Sequence, residues 1–304
     1  MNAARGLAMT LVTVLMWASL PLAMKQVLRV LDPQSVVAVR FVVATLVLGW
    51  FLRRRGRLPD WRALLHGKRR WLFVIGALGL AGNFYLFSKA LIYLTPEASQ
   101  VLAQLSPFIL LFAGAVFFHE KLGAHQWWGA LVLFAGLLLF FNRELPHLFA
   151  GENTALLGIV LSISASLVWV SYGLVQKVLL RDFSAPQVLF VLYGGSALLT
   201  LPFAHWAMFA GLDGYQWLCL AYCCINTPIA YGAFAEALAC WDVSKVSATI
   251  TMVPLFTMVF TEAAFWLWPG VFAEPDLNGL AYAGAAMVVA GALCSVLGGA
   301  VRKR

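Results

Sequence analysis

Two stretches of the chain carry polar side chains at a spacing that a helix turns into a stripe. Gln100, Gln104, Pro107 and Leu111 follow one another at i, i+4, i+7 and i+11, and Ser247, Thr251, Pro254 and Met258 repeat that spacing. At 3.6 residues per turn each set falls on one helical face. Each proline deletes the hydrogen bond to the carbonyl four residues before it, at Ala103 and at Ile250, and leaves that oxygen for a solute or water. Both stretches lie inside apolar runs, where a polar side chain is costly unless it lines a cavity or meets another polar group. The chemistry on offer is hydrogen bonding to a passing solute. The same reasoning selects Trp17 and Trp169, which sit mid-run and away from the headgroup level where tryptophan collects, so that each indole needs a polar neighbour or a wet cavity. Asn83, Asn226 and Tyr231 are further candidates, with Tyr172 one turn beyond Trp169. Helix packing would account for the same residues without function; the matched placement in two halves of the chain favours a cavity.

The elements that must position these residues are membrane helices. Of the 304 residues, 62% are apolar and 11% are charged, against about a quarter charged in a soluble domain. Ten runs have the length and apolarity to cross a bilayer: Gly6–Val27, Ser35–Leu52, Trp71–Tyr93, Thr95–Phe118, Gln126–Phe141, Leu156–Val178, Ser184–Trp206, Tyr215–Ala239, Lys245–Trp268 and Leu280–Val301. They are far too long for barrel strands. Thr95-Pro96-Glu97, between the third and fourth runs, reads as an N-cap, an N1 proline and a first-turn acid. The expected fold is therefore all-α and integral to the membrane, with ten transmembrane helices.

The chain also repeats itself. Gly6, Trp17, Lys25 and Arg29 recur 152 residues on as Gly158, Trp169, Lys177 and Arg181; Pro107 recurs as Pro254, and Gly129 and Gly136 as Gly284 and Gly291. Five spans per copy oblige the two copies to enter the bilayer in opposite directions. Residues 1–143 and 154–304 are thus expected to form two inverted five-helix repeats. Placing both termini in the cytoplasm puts sixteen of the 21 basic residues on that side, including the eight in RRRGRLPDWRALLHGKRR (53–70), with Lys25, Arg29 and Arg143 outside. The net charge of +8 therefore marks cytoplasmic loops and gives no reason to expect nucleic acid.

Depth along the helices then bears on the charged residues. Lys89 lies near the outer end of span 3 and Glu236 near the inner end of span 8, so a direct ion pair between them is not expected. Arg40 and Glu262 each lie about six residues in from the outer face, roughly 9 Å, and pairing is expected if spans 2 and 9 approach. Lys89 is a candidate for capturing a solute carboxylate; snorkelling to a headgroup is its simplest alternative, as it is for Lys25 and Lys177. Glu236 and Glu262 are candidates for proton coupling, since burial of a carboxyl favours its protonated form. The glycines of spans 5 and 10 recur every seven residues on one face, which suits close helix packing, either within the fold or in a homodimer. The five cysteines fall in apolar runs with no CxxC pair and read as reduced, buried thiols.

The sequence resembles the EamA-type branch of the drug/metabolite transporter superfamily over nearly its whole length. The residues that carry the resemblance are Trp17, Lys25, Arg40-Phe41, Ser106-Pro107, His119-Glu120-Lys121-Leu122, Gly129 and Gly136 in the first repeat. Trp169, Lys177, Pro254, Gly284 and Gly291 carry it in the second. The chain departs from the pattern after span 9, where WLWPGVFAEPDLN replaces the usual glycine-glutamate ending. The resemblance implies a small-metabolite carrier of the bacterial inner membrane, commonly an exporter, with members that handle amino acids. Its expected partners are a small-molecule substrate and the lipid bilayer, and no cofactor or metal is implied. An enzyme is not expected: His119-Glu120 is not completed to HExxH, Gly194-Gly195-Ser196 lacks the nucleophile-elbow spacing, and no phosphate-binding loop is present. The rival reading is a flippase for lipids or lipid-linked sugars.

Overall fold

The structure is a computed structural model that describes residues 3–60, 64, 67, 69–106, 109, 123–143, 154–241 and 243–301. Its helices are α1 (Ala3–Val27), α2 (Pro33–Arg54), α3 (Arg69–Tyr93), α4 (Pro96–Ala103), α5 (Ala124–Phe140), α6 (Thr154–Leu179), α7 (Ala185–Thr200), α8 (Gly214–Cys240), α9 (Val243–Ile250), α10 (Val253–Leu267) and α11 (Gly279–Val301). Seven segments among the described residues are long and apolar enough to cross a membrane, and α5 and α11 are shorter apolar helices. Together these occupy nine of the ten runs read from the sequence. The fourth begins as α4, turns at Gln104 and resumes as helix at Leu105-Ser106, while Pro107 and His119–Leu122 lie outside the described residues.

Local chemistry sets the helix starts. The Asp32 side chain accepts from Ser35 N at 2.7 Å, with Pro33 opening α2. Thr95 caps α4 through Ala98 N at 3.2 Å with Pro96 and Glu97 in the first turn, as expected. Asp213 and Gln216 exchange side chain and backbone bonds in a capping box that opens α8. Two spans depart from their expected form. The seventh leaves α-helix at Thr200 and continues as the 3-10 turn Leu201–Phe203, because Pro202 has no N–H to carry the α-helical ladder on. The ninth is divided at Thr251-Met252 into α9 and α10, immediately before Pro254.

Helices pair as α1 with α8, α3 with α6, α2 with α7, α4 with α10 and α5 with α11. Glycine makes the last pair close: a methyl built on Gly136 would stand 2.7 Å from the Gly284 carbonyl oxygen, and one on Gly291 would stand 2.6 Å from that of Gly129. These glycine faces are used within the chain. A homodimer through them, one of the two readings the spacing allowed, would have to displace α11 from α5.

Polar contacts gather the loops into two ends. At one, Arg5 pairs with Glu236 at 2.8 Å and Arg69 with Asp182 at 2.9 Å. At the other, Arg143 pairs with Asp276, His205 with Asp32, and Arg29 donates to Val271 O at 3.1 Å. Each contact joins residues that a ten-span topology puts on one side. Burial would raise the Asp32 carboxyl, but the hydrogen bonds from Ser35 and the neighbouring His205 outweigh it and hold Asp32 below the usual carboxylate range.

Candidate functional site

The middle of α1 is the axis on which three other spans are hung. Pro21 lies inside α1 and releases the carbonyl of Trp17. Gln100 of α4 donates to that oxygen at 2.9 Å. The carbonyls on either side are taken as well, Met16 O by Asn226 Nδ2 of α8 at 2.7 Å and Ala18 O by Thr257 Oγ1 of α10 at 3.0 Å. Asn83 of α3 makes the comparable bond to Ala165 O of α6 at 2.9 Å. Gln100, Asn83 and the amide nitrogen of Asn226 are therefore occupied as ties between helices.

Beside this axis, aromatic rings from five helices meet. Trp17 contacts Tyr231 at 5.5 Å and Phe234 at 5.6 Å between centroids. Tyr231 reaches Phe84 at 6.5 Å and Tyr193 at 6.2 Å, and Phe41 lies between those two at 4.7 and 5.9 Å. Trp169 and Tyr172 are in contact on α6 at 6.3 Å, and both belong to the same core cluster. The Tyr193 hydroxyl in this cluster, and Oδ1 of Asn226 beside α1, are buried without a hydrogen-bond partner among the described residues. Such atoms are rare in a folded interior.

Arg40 enters this cluster from α2 with only 3% of its surface exposed. Its Nε and Nη2 donate to Thr227 Oγ1 at 3.2 and 3.1 Å, its Nη1 to Met24 Sδ at 3.4 Å, and its guanidinium stands 4.7 Å from the centre of the Phe84 ring. The expected pairing with Glu262 is not made. Depth alone suggested it, but α2 packs chiefly on α7 and α8, and Glu262 on α10 is bonded by Tyr282 Oη at 2.5 Å.

The remaining candidates lie apart from this centre. Lys89 stays on its own helix against Tyr85, 3.4 Å from the hydroxyl and over the ring. Glu236 is ion-paired to Arg5 and half-exposed at one end of the fold. Lys25 donates to Leu94 O at the end of α3 instead of snorkelling, because that carbonyl falls beyond the last turn of the helix and lacks an intrahelical partner. Gln104, Ser247 and Thr251 sit where the two interrupted spans break. Gln104 is the residue on which α4 ends, is buried, and has no side-chain hydrogen bond to a described residue. Thr251 is buried and turns its hydroxyl onto Ala248 O at 2.7 Å.

Sequence reasoning passed over Tyr193, Thr227 and Glu97. Glu97 is 2% exposed, and its Oε1 has no hydrogen-bond partner. An acid following Thr-Pro satisfies every rule for a helix start, so nothing in the spacing marks it as buried.

A helical membrane protein with two interrupted spans around a polar and aromatic centre has the architecture of a carrier. The sequence pattern of the EamA-like transporter family matches residues 4–142 and again 156–297. The chain belongs to that family. An uncharacterized transporter of Haemophilus influenzae is 42% identical over 96% of this chain and 95% of its own length. The inner membrane transporter YhbE of Escherichia coli K12, also described as uncharacterized, is 44% identical over 96% and 91%. A probable amino-acid metabolite efflux pump of the same bacterium is 21% identical over 95% and 94%. A solved crystal structure covers 98% of both chains with a TM-score of 0.66 at 20% identity, a likeness of fold. The family and these relatives make the protein a membrane transporter.

Proposed function

We propose that the protein is a secondary carrier of the bacterial inner membrane that moves an amino acid or related small amphipathic solute outward without ATP. One observation carries this reading. Spans 4 and 9 leave α-helix at Ala103 and at Ile250, the two positions whose carbonyls the prolines release, and both flank the same stretch of α1. Interrupted helices at corresponding places in two halves are how carriers expose backbone oxygens near the bilayer midplane. The double family match, and a pairing pattern that maps onto itself when helices of one half are exchanged for those of the other, support inverted repeats over 1–143 and 154–304. The two halves would rock about the aromatic centre to open it to either side in turn. Basic loops favour cytoplasmic termini, and the remote efflux relative supports an outward amino-acid route.

The test is counterflow into proteoliposomes preloaded with unlabelled solute, run over a labelled panel of amino acids, amines, nucleosides and sugars. We expect one class to accumulate and Gln104→Leu to abolish the accumulation in protein that still elutes as a folded species. If the folded wild type moves none of the panel but equilibrates labelled lipid, the solute reading is overturned in favour of lipid flipping.

A further inference from the structure

Arg40 is a cation with a vacancy. The guanidinium offers five N–H groups, always charged. Three bonds are made, two of them to one threonine hydroxyl and one to a thioether sulfur, which leaves two N–H groups without an acceptor. Among the described residues no carboxylate lies within ion-pair distance of it. Its described neighbours are apolar or neutral: Met24, Phe84, Thr227, the thiols of Cys223 and Cys224, the phenols of Tyr193 and Tyr231, and Ser88, which also donates to Met24 Sδ at 3.7 Å. The residue lies seven positions into α2, roughly 10 Å below the membrane surface. Its neighbours are closed around it, with Met24 and Ser88 fully buried and Thr227 1% exposed.

A buried charge without a counter-ion costs several kcal/mol after relaxation, and at this depth an arginine that were merely structural would be expected to hold a carboxylate or several backbone carbonyls. Arg40 has neither. Thr227 occupies the edge formed by Nε and Nη2 and holds the guanidinium plane still, while Nη1 and Nη2 each carry a second N–H for which no described residue supplies an acceptor. Two spare donors on one guanidinium suit the two oxygens of a carboxylate.

We infer that Arg40 is the receptor for the carboxylate of the transported solute, an inference that rests on the carrier reading and names the chemistry of its cargo. The aromatic cluster that continues from Phe84 through Phe41, Tyr193 and Tyr231 to Trp17 then faces the other end of the molecule, which should be apolar or aromatic. One cation without a second nearby suits a single negative charge. A phosphomonoester, with about −1.5 to −2 charges, would remain uncompensated. Thr227 is a positioning residue, acting on the cargo through Arg40. Binding of the carboxylate would complete an ion pair that the empty carrier lacks, so the occupied state is stabilised relative to the empty one.

The test uses the full-length protein in detergent and measures its melting temperature with millimolar L-phenylalanine, L-leucine and phenylacetate. The corresponding carboxamides and inorganic phosphate are run beside them. At saturation at least one carboxylate should raise the melting temperature by about 2 °C or more, while its amide and phosphate do not. In Arg40→Met the rise should vanish, and the ligand-free protein should melt no lower than wild type, because an uncompensated charge has been replaced by an apolar side chain. Should Arg40→Met not accumulate, the wild-type contrast of acid with amide and the loss of the rise in Arg40→Lys decide. No rise with any acid, an equal rise with the amides, or a rise that survives in Arg40→Met overturns the proposal. Counterflow of the same compounds keeps the two readings separate. Amides moving as fast as acids would leave the carrier standing and remove Arg40 from its site. A carboxylate-specific rise without movement of any compound would do the reverse.

Discussion

The α5–α11 pair and the centre where α1, α2, α3 and α8 meet are both buried, and they are built on opposite principles. Between α5 and α11 backbones touch through Gly129, Gly136, Gly284 and Gly291, leaving nothing to rearrange. In the centre the rings are large, and among the described residues Tyr193 Oη and Asn226 Oδ1 have no partner and Arg40 no counter-ion. Close glycine packing yields a fixed seam. Unmet polar groups yield a place whose energy drops when something arrives. The contrast separates the part of the molecule that holds still from the part that should change with its cargo.

The sharpest way to break that contrast is to put side chains on glycines of both regions. Gly291→Leu drives four carbons into the backbone of α5, where the first would already lie 2.6 Å from Gly129 O and from Leu133 N. Overpacking commonly costs 1–3 kcal/mol and more where backbone is struck; we expect loss of the folded, monodisperse species in size-exclusion chromatography. Gly194→Ala, next to Tyr193 and half-buried, meets only Thr45 Cγ2 at 3.6 Å, an ordinary van der Waals contact, and should leave folded yield unchanged. Equal behaviour of the two variants would remove the distinction between seam and centre.

The second effect is on transport rather than folding. Gln104→Leu and Thr251→Val remove the polar groups at the two helix interruptions. Gln104 has no side-chain bond to a described residue, and Thr251 bonds only within its own segment. Neither ties one helix to another, so stability should change little while counterflow falls by about tenfold or more, the loss expected when a hydrogen bond to a solute is deleted. Gln100→Leu should behave differently and lower stability as well, because Gln100 ties α4 to Trp17 O.

The positions of the spans, the two interruptions and the glycine faces were legible in the sequence, because each depends on local composition or on proline and glycine chemistry. What could not be read is direction around the helix axis. Arg40 and Glu262 share a depth, yet α2 turns toward α7 and α8 while Glu262 meets Tyr282. Glu236 was read as a partly buried carboxylate near the inner end of its span. The N-terminal turn of α1 supplies Arg5 at that level, and the side chain is 40% exposed. Glu97 illustrates the converse, since a local pattern that explains a residue completely conceals its burial.

Glu236 gives a smaller effect that sharpens the same division. With its side chain 40% exposed and paired to an Arg5 that is 60% exposed, the bond is worth at most about 1 kcal/mol. Glu236→Gln should shift the melting temperature by only a few degrees and leave the pH profile of counterflow unchanged. A lost pH dependence would return this carboxylate to the transport path.

The smallest effect lies furthest from the centre, at Asp32. Its folded pKa lies below the unfolded value, so the folded state binds its proton less readily. The stabilisation is therefore complete above the unfolded carboxylate pKa and disappears as pH falls through the lowered folded one. Asp32→Asn keeps a residue able to cap α2 but removes the charge beside His205. We expect the variant to melt slightly below wild type at neutral pH, and the two curves to converge on acidification below about pH 4. A difference that persists undiminished at acid pH would mean that the carboxylate acts through cap geometry alone, and that the loops at that end are held to each other without its charge.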